Sequence, residues 1–200
     1  MATVQPQRLG LLRHCLLAAI PLVVAAAFVA CSSGDDSDTA ATKDKATTTT
    51  EPEDLEMQAE DFVPLRDMTK VRGFYMANPL GHLDEAIAVA ENPDGGQYPV
   101  GTIIQLVPFE AMVKRGEGFS PTANDWEFFS LKVSDQGTEI LDRGGDADVI
   151  NQFGGSCLDC HELARPEFDF VCEDTHGCEP LPITDDQIRG VQESDPRPST

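Results

Sequence analysis

Basic residues are scarce in this chain. Lys and Arg number 14 against 35 Asp and Glu, and the formal net charge is −21 at pH 7. That balance excludes nucleic acid as a partner, because a polyanion would meet no cationic footprint. It also disfavours close binding to anionic headgroups. A basic partner would be steered toward such a surface, or the charge serves solubility alone. Long apolar runs are absent too. The run from Cys15 to Ala30 is Ala-rich, interrupted by Pro21, and too short for a comfortable membrane-spanning helix. No internal repeat is evident, which removes solenoid architectures. From Ser32 to Glu56 there is no aromatic residue; Thr, Ser, Asp, Glu and Ala dominate. Such a stretch cannot bury enough apolar surface to offset its ordering entropy.

What is present begins with an export signal. Arg8, Arg13 and His14 precede the apolar run, the order expected of a secretory leader over residues 1–30. The run ends Phe28-Val29-Ala30-Cys31-Ser32, which resembles a bacterial lipobox with Phe28 where Leu is usual. Cleavage would leave Cys31 as a lipidated N-terminus. The expectation is an exported lipoprotein facing the periplasm, anchored by acyl chains that tether without spanning. Ser32 favours the outer membrane. An ordinary cleavage site with a coincidental cysteine is the alternative. Loss of the leader removes Arg8 and Arg13 and no acidic residue, taking the charge from −21 to −23. Residues 31–58 read as a tether, 59–188 as one domain, and 189–200 as a loose polar tail.

The most specific chemistry lies in Cys157-Leu158-Asp159-Cys160-His161. C-x-x-C-H is the attachment sequence of c-type haem: two thiols form thioethers to the vinyl groups and the adjacent imidazole reaches the iron. The expectation is one covalent haem c on Cys157 and Cys160, with His161 as proximal iron ligand. A structural zinc site would recruit Cys172, His176 and Cys178 as well. A dithiol redox pair would call for a βαβ context, which is missing. Of the six cysteines, Cys172 and Cys178 remain after leader, lipid and haem are served. In an oxidising compartment they suit a disulfide, with free thiols or metal ligation as alternatives.

No methionine follows the motif; the last is Met112. The sixth iron position therefore decides function, since a strong protein ligand makes an electron carrier and an open site admits small molecules. His82, His176, Met68, Met76 and Met112 are the candidate ligands. Phe109, Phe119, Phe128 and Phe129 are candidates for an apolar distal pocket, or they fill the core, as Trp126 does.

Alternation and β-branched content predict strands over Val71–Met76, Thr102–Val107 with a continuation at Phe109–Val113, Trp126–Val133 and Thr138–Leu141. Leu83–Ala90 has helical spacing with Asp84 and Glu85 at its start. Asp54–Asp61 is a weak short helix. Val149–Leu163 holds the turn and helix that present the cysteines, and Pro166–Ile183 is irregular. The fold class is α+β: an antiparallel sheet with flanking helices and a C-terminal haem-binding helix.

With those pieces in place, the domain resembles the cytochrome P-460 family, which includes the β-type cytochromes c-prime. The resemblance covers roughly Lys70 to Leu181. It rests on the order of the Arg72–Asn78 strand, Tyr98-Pro99-Val100-Gly101-Thr102, Glu110-Ala111-Met112-Val113-Lys114, Phe119, Asp125-Trp126-Glu127-Phe128-Phe129, the late C-x-x-C-H and Asp169-Phe170-Val171. It implies one covalent haem, a homodimer, and either oxidation of hydroxylamine or binding of nitric oxide and similar ligands. The family's enzymes cross-link a lysine to the haem in the strand after Pro-x-Gly-Thr. Here that strand reads Ile103-Ile104-Gln105-Leu106, and Lys132 does not match the position. Glu110 matches a distal carboxylate that would serve as proton acceptor. Three readings follow: a five-coordinate haem protein taking up NO or a related diatomic, an electron carrier docking to a basic partner, and an enzyme oxidising a small nitrogen compound with Glu110 as base.

Overall fold

A computed structural model describes residues 53–199. The leader, Cys31 and most of the tether lie outside the described residues. Six strands form one antiparallel meander in sequence order: β1 (Thr69–Val71), β2 (Phe74–Ala77), β3 (Ile103–Gln105), β4 (Glu110–Lys114), β5 (Trp126–Ser134) and β6 (Gly137–Gly144). Three helices accompany them: α1 (Leu83–Glu91), α2 (Cys157–His161) and α3 (Asp185–Glu193). The class is α+β. Among the described residues no helix is long and apolar enough to cross a membrane.

Strand register sorts the side chains onto two faces, because successive residues point opposite ways. Met76 pairs with Ile104, Ile104 with Met112, and Met112 with Phe128. These side chains join one buried cluster with Trp126, Tyr98, Ala86, Ala90, Val149, Cys157 and Leu158. The neighbours Ile103, Ala111, Val113, Phe129 and Leu131 face the other way and pack with Met57, Phe62, Leu65 and Met68. So α1 and the cysteine-bearing segment cover the first face. The N-terminal stretch before β1 covers the second.

The strand expected over Val71–Met76 is broken into a hairpin at Arg72, where φ is +52°. Its guanidinium donates to the Ala90 carbonyl at 2.6 Å and pairs with Glu173, which holds the turn in place. The short helix expected over Asp54–Asp61 is reduced to a single 3-10 turn, Ala59–Asp61. Helix α1 agrees with the expected Leu83–Ala90, and Asp84 and Glu85 sit favourably in its first turn. Gly95 is required where it stands: at φ +74°, a Cβ would lie 2.0 Å from the Glu167 carbonyl oxygen. The Gly96 N–H donates to that same oxygen at 2.8 Å. This close approach ties the loop after α1 to the segment that follows the cysteine motif.

Both expected domain edges move outward. Residues 53–58 are not free tether: the Asp54 carboxylate accepts from Arg115 Nε and Nη2 at 2.9 and 2.8 Å and from the Gly116 N–H at 2.7 Å, and Met57 is fully buried. Nor does the expected loose tail of 189–200 hold over its described residues, 189–199. Helix α3 runs to Glu193, and beyond it Asp195 and Arg197 are buried as an ion pair at 2.7 Å. Asp195 also accepts from the Leu65 N–H at 2.9 Å, and Arg197 donates to the Phe62 carbonyl at 3.0 Å. A polar composition concealed these contacts because the groups that satisfy them lie about 130 residues away in sequence.

Candidate functional site

Cys157 to His161 form α2, a single short turn of helix capped by Ser156, whose hydroxyl accepts from the Asp159 N–H at 3.2 Å. The approach is braced by a narrow loop. Ile150 bridges to Ser156, the Cys157 N–H donates to the Val149 carbonyl at 2.9 Å, and Asn151 Oδ1 accepts from the Phe153 and Gly155 N–H groups at 2.9 and 3.1 Å. Cys157 is buried on the sheet and Cys160 is exposed; both are free thiols.

His161 Nδ1 lies 2.7 Å from the carbonyl oxygen of Phe170. A carbonyl only accepts, so Nδ1 carries the proton and Nε2 is left with its lone pair. Nε2 has no hydrogen-bond partner among the described residues. Burial lowers the imidazole pKa, against a smaller opposing effect of the Phe170 carbonyl. The ring is therefore held neutral, in one tautomer, with one nitrogen available to a metal. The Phe128 ring packs against it with centroids 5.1 Å apart.

The Phe170 carbonyl is presented by an unusual turn. Asp169 and Phe170 both have positive φ, 50° and 64°. Left-handed backbone at non-glycine residues costs roughly 1–3 kcal/mol each and persists only where surroundings enforce it. Here they do. The Asp169 carboxylate is fully buried and accepts from Lys114 Nζ at 2.9 and 3.0 Å, from the Tyr98 N–H at 2.8 Å and from Asn124 Nδ2. Its own carbonyl accepts from Trp126 Nε1 at 2.7 Å. The sequence marks both Asp169-Phe170-Val171 and Lys114 but not their pairing, because nothing local links residues 55 apart.

A disulfide joins Cys172 and Cys178, with Cα atoms 5.6 Å apart. Cys172 Sγ sits 3.4 Å from the Cys160 carbonyl oxygen, so the bridge abuts α2. His176 stacks on Phe168 at 3.7 Å and its Nδ1 lies 2.6 Å from the Val171 carbonyl. The residues a zinc site would recruit are thus engaged elsewhere. Among the described residues no three His, Cys, Asp or Glu side chains converge as a metal-ion site would require.

The remaining candidates separate. Of the four phenylalanines, Phe128 meets His161. Phe129 is on the opposite face against Phe62, centroids 4.9 Å apart. Phe119 lies under the Arg115 guanidinium at 4.4 Å and is 39% exposed, and Phe109 is half-buried ahead of β4. The grouping of all four into one pocket is corrected by the alternation of the strand, which sends adjacent residues to different faces. Met76 and Met112 share the cluster of Cys157, whereas Met68 belongs to the other face. His82 is turned outward to Glu53 and Glu85. Lys132 is exposed and pairs with Glu139 at 2.9 Å.

Glu110 opens β4 half-buried, and its Oε1 accepts from the Gln152 N–H at 2.6 Å. Burial raises its pKa and that hydrogen bond opposes the rise. The Cys157 thiol is pushed up to about 12, first by burial and then by the charges of Glu110, Cys160 and Asp142. A dithiol oxidoreductase needs a depressed thiolate pKa; this thiol is shifted the opposite way. No family model matches the chain, and neither a curated protein nor a solved structure matches it significantly.

Proposed function

We propose that this chain is an exported monohaem c-type cytochrome lipoprotein of the cytochrome P-460 kind, binding a small ligand such as nitric oxide at its iron. The observation that carries this reading is the state of His161. Its Nδ1 is committed to a backbone carbonyl, its Nε2 is free, and it adjoins two free thiols spaced one helical turn apart. Cys157 and Cys160 would hold the haem through thioethers and His161 would ligate iron. The haem supplies the redox and ligand-binding iron. The protein supplies a fixed imidazole orientation, the apolar floor of Phe128, Leu158, Met76 and Met112, and the acidic Glu110 within electrostatic reach of Cys157. A haem iron needs no cluster of protein donors, because the porphyrin supplies its equatorial ligands.

A second reading, oxidation of a small nitrogen compound, is favoured by one observation. Glu110 combines a raised pKa with electrostatic reach to Cys157, which suits a proton acceptor near the cofactor. The absence of a lysine from Ile103-Ile104-Gln105-Leu106, the strand in which the family's enzymes carry their cross-link, speaks for ligand binding over that chemistry. Electron transfer to a basic partner, steered by the acidic surface, is the third outcome of the same test. The anchor is Cys31, facing the periplasm, and the assembly is a homodimer by family resemblance.

The test is the absorption spectrum of the chain matured in a host with c-type haem assembly, oxidised, reduced, and reduced with NO or CO. A broad five-coordinate reduced spectrum that shifts with gas supports the proposal. A sharp low-spin spectrum indifferent to gas would move the function to electron transfer. Absence of covalent haem by pyridine haemochrome would end it.

A further inference from the structure

We infer that the buried Lys114–Asp169 pair is a positioning device for the imidazole of His161, acting through the Phe170 carbonyl and so setting how strongly that imidazole donates to a metal. The inference rests on the haem reading for its consequence, but not for its geometry.

The chain of contacts is continuous. Lys114 ends β4, and its side chain is 9% exposed. It donates to both carboxylate oxygens of Asp169 and to the Asn124 carbonyl at 2.6 Å. Tyr98, ahead of β3, and Asn124, ahead of β5, donate to the same carboxylate. Three separate parts of the sheet layer therefore converge on one side chain. Trp126 on β5 then holds the carbonyl of Asp169 itself. With both ends of residue 169 gripped, the left-handed turn at 169 and 170 is fixed, and the Phe170 carbonyl is aimed at His161 Nδ1.

A local turn would not need this investment. Asn or Gly adopts positive φ readily, whereas Phe does not. A buried ion pair is also a poor way to add stability alone, since its desolvation cancels much of its attraction. What it supplies is a single geometry, and the geometry's exposed product is one carbonyl facing one imidazole. Hydrogen bonding at Nδ1 raises the donor strength of Nε2. Lys114, Asp169 and Trp126 are thus positioning residues: none hydrogen-bonds to His161, and each acts through Phe170.

The experiment uses the full-length chain matured in a c-type haem host, with Asp169→Asn, Lys114→Met and the conservative Lys114→Arg. The first readout is the His161 Nδ1 proton by nitrogen-15 NMR. It is recorded on the carbon monoxide-bound ferrous form if haem is present and on the chain as isolated if it is not. The second is the midpoint potential. In the wild type a single, slowly exchanging Nδ1–H is expected. In Asp169→Asn and Lys114→Met that signal broadens or exchanges at least roughly tenfold faster, and the potential moves positive because weaker donation favours ferrous iron. Lys114→Arg keeps the signal. If a variant does not fold by circular dichroism, Trp126→Phe, which removes the indole donor to Asp169 together with part of the ring packed on Tyr98 and Lys114, is read the same way. Folded variants with an unchanged Nδ1 proton overturn the inference even with haem bound. A wild type without haem that still shows the protected proton overturns the proposed function and leaves the positioning intact.

Discussion

Replacing Arg197 by Ala tests whether the C-terminal segment belongs to the domain. Its side chain is 2% exposed and that of Asp195 is 1% exposed, and the two share three hydrogen bonds of 2.7–3.2 Å. Removing the cation leaves a buried carboxylate with only backbone donors close by, the Leu65 N–H at 2.9 Å and the N–H of residue 197 at 3.1 Å. Breaking a buried pair from one side costs about 3–5 kcal/mol. The Phe62 carbonyl loses its Arg197 donor but keeps the Thr138 hydroxyl at 3.2 Å, so it adds little. The end of the chain can lift away and rehydrate Asp195, which places the effect near the low end, about 3 kcal/mol. For a domain of this size that is a fall in Tm of roughly 6–12 °C. Arg189→Ala is the internal control. Arg189 lies in the same stretch but is 55% exposed and, among the described residues, pairs only with Asp186, so its loss should cost no more than about 0.5 kcal/mol. Urea denaturation of the full chain, followed by tryptophan fluorescence, reads both. Equal effects for the two substitutions, or less than about 1 kcal/mol for Arg197→Ala, would refute the reasoning.

Acid should weaken the two ends of the domain first. Hydrogen bonds from Arg115 hold the Asp54 carboxyl well below its ordinary range. For Asp195, burial acts upward but is outweighed by Arg197 and the Leu65 N–H. Both contributions are complete above about pH 4 and decline as pH falls below it, which pH-dependent melts of Asp54→Asn and Asp195→Asn check. Glu110 has the opposite sign. Its raised pKa makes the folded state hold a proton the unfolded state has released, so stability falls as pH rises above about 4.3. Glu110→Gln should remove that decline, and a variant that keeps it would show Glu110 is not its source. Phe128→Ala should cost about 3–5 kcal/mol, visible as a lower urea midpoint. In chain lacking haem, iodoacetamide should label exposed Cys160 roughly tenfold faster than Cys157 at pH 8, by mass spectrometry of timed digests; equal rates would contradict the burial of Cys157.

Local patterns in the sequence determined a good deal. Alternation of apolar and polar side chains marked the strands of the sheet, because a pleated strand exposes its neighbours to opposite faces whatever lies around it. The spacing of Leu83, Ile87 and Ala90 marked α1. The motif Cys157 to His161 brought two thiols and an imidazole together within five adjacent residues, and the two leftover cysteines at 172 and 178 suited a disulfide in an oxidising compartment. Tertiary structure alone decided which distant groups meet. Phe128 and Phe129 are adjacent and chemically identical, yet only the sheet's packing shows that the first meets His161 and the second meets Phe62. The pairing of Lys114 with Asp169, and the docking of Asp195 and Arg197 beside Leu65 and Phe62, depend on register and burial that no short window contains. A polar residue reads as exposed in a sequence because its partner is missing from view. Folding supplies the partner, and with it the low-dielectric setting in which one carbonyl fixes one imidazole.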